Sequence, residues 1–319
     1  MERIFLCGGN AALKRMYGAD VVIYTQEMLM AEPEKFKDTK YVFSSWGMPK
    51  LTEEEIRQYL PNLQAVFYCA GSVRGWARPY MNCGAKVFSA WAANAIPVSE
   101  YTSSLILLSN KGFFKAANYT NYKASRAISR YQNPGNFDVK VGIVGAGMIG
   151  KLVIERLRSS RIEVLVFDPF LPDEKADQLG VKKVSLEELF SQCHVVSNHL
   201  ANNEQTKGML NGALFEKLEP YATFINSGRG AQVVEEDLIR VLQERPDLTA
   251  ILDVTHPDPP EEGSPLYTLE NCILTPHIAG SFNHEERRMA EYMEQEYQRF
   301  LKNEPCKYEV TLEMLKTMA

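Results

Sequence analysis

Three short segments place reactive side chains directly after apolar stretches that are typical of β-strands. They are Asn226–Gly230, Asp253–Pro260 and Thr275–Ser281. A guanidinium binds a carboxylate through a fixed fork of donors, and an imidazole next to a carboxylate transfers protons. Arg229, Asp258 and His277 together are therefore predicted to bind an acid and to protonate its oxygen. Taken singly, each residue has an alternative interpretation. Arg229 would be a surface cation, Asp258 a turn former and His277 a hydrogen-bonded polar residue near a cleft.

A glycine-rich motif, VGIVGAGMIGKLV, predicts what lies beside these groups. A buried strand, Val141–Val144, runs into a turn and then into a helix. The glycines of the turn are Gly145, Gly147 and Gly150. In this motif the first glycine permits the tight turn, the second leaves room for a pyrophosphate, and the third lets the helix pack closely. The first helical residues, Met148 and Ile149, then direct their amides at the phosphates, so the motif predicts a dinucleotide site.

The next predicted strand, Ile162–Phe167, ends at Asp168 and Pro169. A carboxylate at this position accepts hydrogen bonds from an adenosine ribose and repels a 2′-phosphate. Asp168 therefore favours NAD over NADP. The alternative interpretation of Asp168 and Pro169 is a turn that ends the strand.

Composition excludes several classes of function. The chain has 319 residues, 45% of them hydrophobic, and a net charge of −5, which argues against a nucleic-acid partner. No apolar run has the length of a membrane span, and the first ten residues do not resemble a secretion signal, so a cytoplasmic protein is expected. Six cysteines without paired spacing predict neither a metal site nor a disulfide framework.

Alternating strand and helix patterns predict an α/β fold with two doubly wound parallel sheets. The expected domains are 1–98 with 285–319, flavodoxin-like and binding the substrate, and 99–284, a Rossmann domain binding NAD, with a cleft between them. Ligands bind where parallel strands end, so the loop 70–75 after the fourth strand is a candidate substrate loop. Read alone, this loop is equally a glycine-containing surface turn.

Two helical regions carry further expectations. A long helix is expected through Val98–Leu108 after Pro97, followed by a break at Gly112 and an exposed connection that reaches Asn136. The C-terminal helix, 285–301, is expected to cover the first domain with one apolar face. That face comprises Met289, Met293, Tyr297, Phe300 and Leu301.

The glycine turn, Phe167-Asp168-Pro169, INSGRG, LDVTHPDPP and TPHIAGS, in this order, resemble the D-isomer-specific 2-hydroxyacid dehydrogenase family. The resemblance implies an oxidoreductase that reduces a 2-oxo acid to a D-2-hydroxy acid with NADH, reversibly, and acts as a homodimer. Arg229 would bind the substrate carboxylate and polarise the 2-oxo group. His277 would protonate the developing alkoxide, and Asp258 would hold the imidazole oriented and charged.

The same resemblance implies further contacts. Asp253 and the amides around Gly280 would face the nicotinamide amide, and His199 and Ser227 would also border the cofactor. The substrate would be bound by Gly71, Ser72, Val73 and Arg74, with Asn94 bracing the hinge. Arg74 or Arg78 is a candidate for binding a second anionic group of the substrate.

Two departures and three alternatives qualify this interpretation. The family usually has glutamate where Asp258 stands, so a shorter side chain must reach His277. The usual HLPLT segment reads His199-Leu200-Ala201-Asn202-Asn203, without its proline. One alternative is an NAD(H)-sensing, co-repressor-like binding protein with the same fold. Others are a different Rossmann chemistry, such as a hydrolase or methyltransferase, and a dehydrogenase of phosphorylated hydroxy acids.

Overall fold

The chain folds into two α/β units, and a computed structural model describes residues 1–9, 11–117 and 122–317. Unit 1 comprises Met1–Asn94 with Ser281–Ala319, and unit 2 comprises Ala95–Gly280. The sequence-based boundaries lay four residues later, after 98 and after 284. The two parallel-sheet folds expected from the sequence are confirmed. No helix in the described ranges is long and apolar enough to cross a membrane.

The strands of both units are short and mostly buried. In chain order they are β1 (Arg3–Leu6), β2 (Ile23–Tyr24), β3 (Tyr41–Ser44), β4 (Ala65–Tyr68), β5 (Lys86–Ser89), β6 (Phe137–Val144), β7 (Arg161–Phe167), β8 (Lys182–Lys183), β9 (Val195–Asn198), β10 (Thr223–Asn226), β11 (Thr249–Leu252), β12 (Cys272–Leu274) and β13 (Glu309–Val310).

Helices connect nearly all of these strands. In chain order they are α1 (Ala11–Tyr17), α2 (Gln26–Ala31), α3 (Pro33–Phe36), α4 (Glu53–Tyr59), α5 (Ala77–Asn82), α6 (Trp91–Ser109), α7 (Phe113–Ala117), α8 (Tyr122–Tyr131), α9 (Met148–Leu157), α10 (Asp173–Leu179), α11 (Leu186–Gln192), α12 (Gly212–Phe215), α13 (Glu235–Glu244), α14 (Glu286–Leu301) and α15 (Met314–Thr317). Single 3-10 turns span Gly230–Gln232, Pro265–Tyr267 and Asn283–Glu285.

The sheet of unit 1 has the order β13-β5-β4-β3-β1-β2 among the described residues, and β13 is antiparallel to β5. Three fully buried rings form the centre of one face. Phe43 stacks on Phe67 at 5.0 Å, and Phe67 stacks on Phe88 at 4.9 Å, between ring centroids. Met289 and Met293 of α14 belong to the same core cluster, so the prediction that the C-terminal helix covers the first domain is confirmed.

The sheet of unit 2 is parallel, with the order β12-β11-β10-β9-β6-β7-β8 within the described ranges. The chain winds from β6 outward through β7 to β8, and then from β9 outward in the other direction. The strand order therefore reverses between β6 and β9, which is where open α/β sheets bind their ligands. The glycine loop leaves β6 at this reversal.

Three local predictions are wrong. Helix α6 begins at Trp91, so Pro97 lies inside it, and the expected exposed connection after Gly112 contains α7 and α8. Residues 118–121 of that connection lie outside the described residues. On α14, Leu301 is 45% exposed and does not belong to the buried face, because it lies about 100° around the helix from Phe300, which packs against Phe67 and Phe88. Strand β13 was not predicted, since two residues carry no periodic signal.

Candidate active site

The glycine loop has the geometry that a dinucleotide needs. Gly145 has a φ of +95°, and an added Cβ there would lie 2.8 Å from the carbonyl oxygen of His199. An added Cβ at Gly150 would lie 2.1 Å from the oxygen of Gly145, whereas one at Gly147 would meet nothing within 4 Å. The loop thus has no space for a side chain at Gly145 and Gly150, where it packs closely. It has free space at Gly147, in front of the first turn of α9. These residues fit a pyrophosphate on the amides of that turn.

Asp168 lies beside this loop at the end of β7. Its Oδ2 accepts a hydrogen bond from the Ala146 amide and its Oδ1 from the Phe170 amide, each at 2.8 Å. These bonds hold the carboxylate against the loop, while the neighbouring Pro169 is exposed. Asp168 is therefore fixed at the position where the sequence predicted a ribose-binding carboxylate.

Three buried amide side chains join the ends of β9 and β10. Asn198 Nδ2 donates to Asn226 Oδ1 at 3.0 Å and to Gln232 Oε1 at 2.5 Å. Gln232 Oε1 also accepts from the backbone amide of Arg229 at 3.3 Å, and Asn226 Nδ2 donates to the Arg229 carbonyl at 3.2 Å. A buried network with this many bonds fixes the backbone turn that carries Arg229.

His199 and Ser227 lie on the same two strand ends and are both buried. The His199 Nε2 atom is 3.0 Å from Ser197 Oγ, and Ser227 Oγ is 2.9 Å from Thr102 Oγ1. Burial lowers the pKa of His199 to about 4, so the ring is neutral at physiological pH. Both side chains bond within unit 2, and their contact with a cofactor stays a prediction.

Arg229 lies in the turn after β10, which packs closely against the loop after β11. An added Cβ at Gly230 would lie 2.0 Å from the carbonyl oxygen of Thr255, so glycine is required for this approach. The Arg229 Nη1 atom donates to the Gly228 carbonyl at 2.7 Å. Burial lowers the pKa of the guanidinium, and the negative charge of Asp258 opposes this change. Arg229 is therefore within electrostatic reach of Asp258.

Asp258 and His277 are directly hydrogen-bonded. The Asp258 Oδ2 atom lies 2.8 Å from His277 Nδ1, so the shorter side chain of aspartate does reach the ring. The two side chains are 37% and 52% exposed, respectively. Because Nδ1 faces the carboxylate, Nε2 is the ring nitrogen left to exchange a proton with a ligand. The structure thus brings together Arg229, Asp258 and His277.

Asp253 holds the loop that carries His277. It is 3% exposed, and its Oδ1 accepts from Thr275 Oγ1 at 2.6 Å and from the Ile278 amide at 2.9 Å. Its Oδ2 accepts from the Ala279 amide at 2.9 Å. His277 itself has a φ of +55°, which is unusual for a residue with a side chain. Contacts of Asp253 and of Gly280 with a nicotinamide amide stay predictions.

The predicted substrate loop of unit 1 follows β4. Ser89 Oγ of the neighbouring strand donates to the Gly71 carbonyl at 2.5 Å, Ser72 is exposed and Val73 is fully buried. Asn94 Oδ1 accepts from the Ser281 amide at 2.9 Å, so it joins the two segments of the chain that make up unit 1. The backbone carbonyls of the loop are therefore held by the buried Ser89 side chain.

Sequence reasoning missed the residues that support this site. Asn198, Gln232 and Gly230 were not singled out, although each positions Arg229. An asparagine at the end of an apolar strand is a usable signal for Asn198. Gln232 has no such signal, because its role depends on packing between β9 and β10.

Comparison with known proteins agrees with this architecture. Residues 104–279, just over half of the chain, match the family model for the NAD-binding domain of D-isomer-specific 2-hydroxyacid dehydrogenases. The apo structure of D-mandelate dehydrogenase from Rhodotorula graminis aligns with a TM-score of 0.80 over 97% of each chain, at 18% identity. A probable 2-hydroxyacid dehydrogenase from Rhizobium etli, solved with NADP, HEPES and L(+)-tartaric acid, aligns with a TM-score of 0.75 over 99% of this chain and 100% of that one, at 22% identity. These two alignments show the fold.

Curated relatives are similar over part of their length. D-3-phosphoglycerate dehydrogenase from Archaeoglobus fulgidus is 34% identical over 140 residues, 44% of this chain and 27% of that protein. The putative 2-hydroxyacid dehydrogenase YoaD from Bacillus subtilis is 36% identical over 142 residues, 44% of this chain and 40% of that protein. The chain thus spans less than half the length of these relatives. With its family match, glycine loop and strand order, it belongs to the D-isomer-specific 2-hydroxyacid dehydrogenase family, and unit 2 carries the family's NAD-binding domain.

Proposed function

We propose that the protein is an NAD-dependent dehydrogenase that reduces a 2-oxo acid to a D-2-hydroxy acid and catalyses the reverse oxidation. The observation that carries this proposal is the 2.8 Å contact between Asp258 and His277, together with the charge interaction between Asp258 and the half-buried guanidinium of Arg229. These three groups supply an anion-binding fork and an acid–base pair, which are the side-chain functions that carbonyl reduction requires.

Each group has a separate role in the proposed reaction. NADH, when bound, supplies the hydride. Arg229 binds the substrate carboxylate and polarises the 2-oxo group, and its fixed charge cannot be lost by deprotonation. His277 donates the Nε2 proton to the alkoxide oxygen as it forms, and it takes the proton back in the oxidation direction.

Two carboxylates control the imidazole. Asp258 accepts from Nδ1, which sets the ring orientation and stabilises the imidazolium. Asp253 fixes the backbone on both sides of His277 through Thr275, Ile278 and Ala279. We infer that Asp258 acts on the charge of the ring and that Asp253 acts on its position.

The remaining parts of the proposal are the cofactor preference, the substrate loop and the assembly. Asp168 favours NAD over NADP because its carboxylate repels a 2′-phosphate. The amides of Gly71, Ser72 and Val73 bind the substrate carboxylate, with Arg74 following them in the same loop. A homodimer and a cytoplasmic location are expected from the family, and sedimentation and cell fractionation test them.

A panel of 2-oxo acids tests the activity. NADH absorbance is followed with glyoxylate, hydroxypyruvate, pyruvate, and branched-chain, aromatic and phosphorylated members, and the product configuration is determined by chiral chromatography. Arg229→Ala is expected to reduce kcat/KM by about a hundredfold or more, because a charge-assisted pair is lost in the transition state. Arg240→Ala removes an exposed arginine paired with Glu216 and Glu244, and it serves as the matched control. NADH binding without oxidation by any acid would reject the proposal in favour of a cofactor-sensing role.

A further inference from the structure

The loop that carries Asp258 has few backbone hydrogen bonds. It spans residues 254–260 and contains three prolines, which have no amide hydrogen to donate. Within the loop, Thr255 Oγ1 donates to the Pro257 carbonyl at 2.7 Å. The sheet does not extend into this segment, because β11 ends at Leu252. The position of Asp258 therefore depends on side chains that reach the loop from other elements.

Two side chains outside the loop bind its backbone on either side of Asp258. Glu235, the first residue of α13, accepts a hydrogen bond at Oε2 from the His256 amide at 3.2 Å. Tyr267 Oη donates to the Pro260 carbonyl at 3.1 Å. In the described part of the chain, Glu235 is the only group outside the loop that bonds to the backbone of residues 254–259. Asp258 thus lies between two side-chain anchors, and Glu235 holds the approach from β11.

Glu235 also belongs to the segment that carries Arg229. From Arg229 the chain passes through a single 3-10 turn and enters α13 at Glu235. Gly230, Glu235 and Thr255 border one small cavity of about 10 Å³. Glu235 therefore lies where the turn of Arg229 meets the loop of Asp258. Its carboxylate links two segments that carry candidate reactive groups.

The surroundings of Glu235 explain why its carboxylate binds a backbone amide. The side chain is half-buried, and burial raises its pKa, whereas the hydrogen bond from the His256 amide opposes this change. A partly desolvated carboxylate gains more from a donor than an exposed one does. The neighbouring Glu236 is exposed, and both residues lie in the first turn of α13, where negative charge interacts favourably with the helix dipole. A comparison of the two residues therefore separates the bond to the loop from the effect on the helix.

We propose that Glu235 is a positioning residue, which sets the place of Asp258 beside His277 through the backbone of residues 256–258. The inference rests on the proposed function. Aspartate has one methylene group less than glutamate, so its carboxylate reaches His277 Nδ1 at 2.8 Å only when the backbone of the loop lies close to the ring. The carboxylate of Glu235 supplies the contact that keeps the backbone there.

A double-mutant cycle tests this role. Glu235→Ala is expected to reduce kcat by about tenfold, because a small displacement of a reactive group slows the reaction strongly. The KM of the acid should change by less than about twofold, because Asn198 and Gln232 hold Arg229 separately. In an Asp258→Asn background, Glu235→Ala should have no further effect on kcat, because its action passes through Asp258. A kcat reduced by the same factor in both backgrounds would indicate a general structural loss and would overturn the proposal.

Two further variants separate the hydrogen bond from the charge. Glu235→Gln keeps an oxygen acceptor and is expected to restore kcat to within about threefold of the wild-type value. Glu236→Ala removes a neighbouring charge of the same helical turn and is expected to leave kcat unchanged. Equal losses in Glu235→Gln and Glu235→Ala, or a loss in Glu236→Ala as large as that in Glu235→Ala, would contradict the proposed role.

A measurement without substrate separates this proposal from the activity itself. Hydrogen exchange of the peptide that contains residues 254–260 is followed by mass spectrometry without cofactor or acid. Exchange of the His256 amide is expected to become about tenfold faster in Glu235→Ala and to stay unchanged in Glu236→Ala. If no acid is reduced, the proposed function fails, and the exchange rates still decide whether Glu235 holds the loop. Equal exchange in wild type and Glu235→Ala would reject this role whatever the activity.

Discussion

The ends of the two sheets are built differently. In unit 2, buried side chains hold the reactive groups: the amides of Asn198 and Gln232 fix the turn of Arg229, and Asp253 fixes the loop of His277. In unit 1, the buried hydroxyl of Ser89 donates to a backbone carbonyl of the predicted substrate loop, and the charged side chains beside the loop are exposed. Polar groups buried in a network specify one geometry, whereas exposed cations adapt to different ligands. The candidate reactive groups of unit 2 are therefore held by buried polar groups, and we expect the chemistry to depend on unit 2 and the choice of substrate on unit 1.

The largest effect is expected from His277→Gln. It removes the proton donor, so kcat is predicted to fall by about 10²–10⁴-fold. Stability should change by less than about 0.5 kcal/mol, because the side chain is exposed. Steady-state kinetics and thermal unfolding measure the two quantities, and His256→Gln, an exposed histidine of the preceding loop, is the control. Equal losses in both variants would remove His277 from the chemistry.

A pH titration of stability distinguishes the two units. Burial lowers the pKa of His194 and of His199 to about 4, from 6.5. The unfolded chain therefore binds protons near pH 6.5 that the folded chain takes up only near pH 4, so stability falls as pH decreases through that window. Each ring accounts for at most roughly 3 kcal/mol of this loss.

Two spectroscopic signals identify the unit that loses stability as the pH decreases. Trp46, Trp76 and Trp91 all lie in unit 1, so tryptophan fluorescence reports that unit, whereas far-UV circular dichroism reports both. Between pH 7 and pH 4 the urea midpoint seen by circular dichroism should decrease more than the fluorescence midpoint. Replacing His199 with glutamine should flatten the dependence, and replacing the exposed His284 should not. Parallel decreases in both signals would contradict the assignment.

A pair of aspartates tests whether position and charge are separate functions. Asp253→Asn places an amide nitrogen against backbone donors, so the free energy of unfolding should decrease by about 2–3 kcal/mol. Asp258→Asn alters a partly exposed carboxylate, so activity should fall with little change in stability. Urea unfolding and kcat measured on both variants make the comparison. Similar destabilisation by the two substitutions would show that burial does not distinguish them.

The smallest effect concerns the cofactor. Asp168→Ala removes the carboxylate beside the glycine loop, and the kcat/KM ratio of NADPH to NADH is expected to rise about tenfold. Asp173→Ala, which removes an exposed partner of Lys183, is the control. A ratio unchanged by Asp168→Ala would mean that another residue selects the nucleotide.

The fold and the positions of the candidate reactive residues at strand ends could be predicted, because both depend on local patterns. Buried parallel strands have continuous apolar runs, and a glycine loop has steric requirements visible in the spacing of Gly145, Gly147 and Gly150. The family motifs added roles for Arg229, Asp258 and His277. The expected start of helix α6 after Pro97 is wrong, because a helix can continue through proline when its surroundings compensate.

The supporting residues were not predictable, because their roles arise from tertiary contacts. Nothing near Gln232 in the sequence indicates that its amide meets Asn198, which is separated from it by a whole βα unit. Lys50 lines the same pocket as Arg74 and Arg78 because β3 and β4 are neighbours in the sheet. Such residues require the strand order, and no local pattern encodes it.

The discontinuity of unit 1 has a consequence for biosynthesis. Unit 2 is one continuous segment, Ala95–Gly280, whereas unit 1 needs Ser281 onward to be complete. Until α14 has left the ribosome, the stacked rings of Phe43, Phe67 and Phe88 lack the methionines that cover them. The nascent chain therefore holds an uncovered aromatic surface while the whole of unit 2 is translated, and transiently exposed apolar surface of this kind is prone to aggregation.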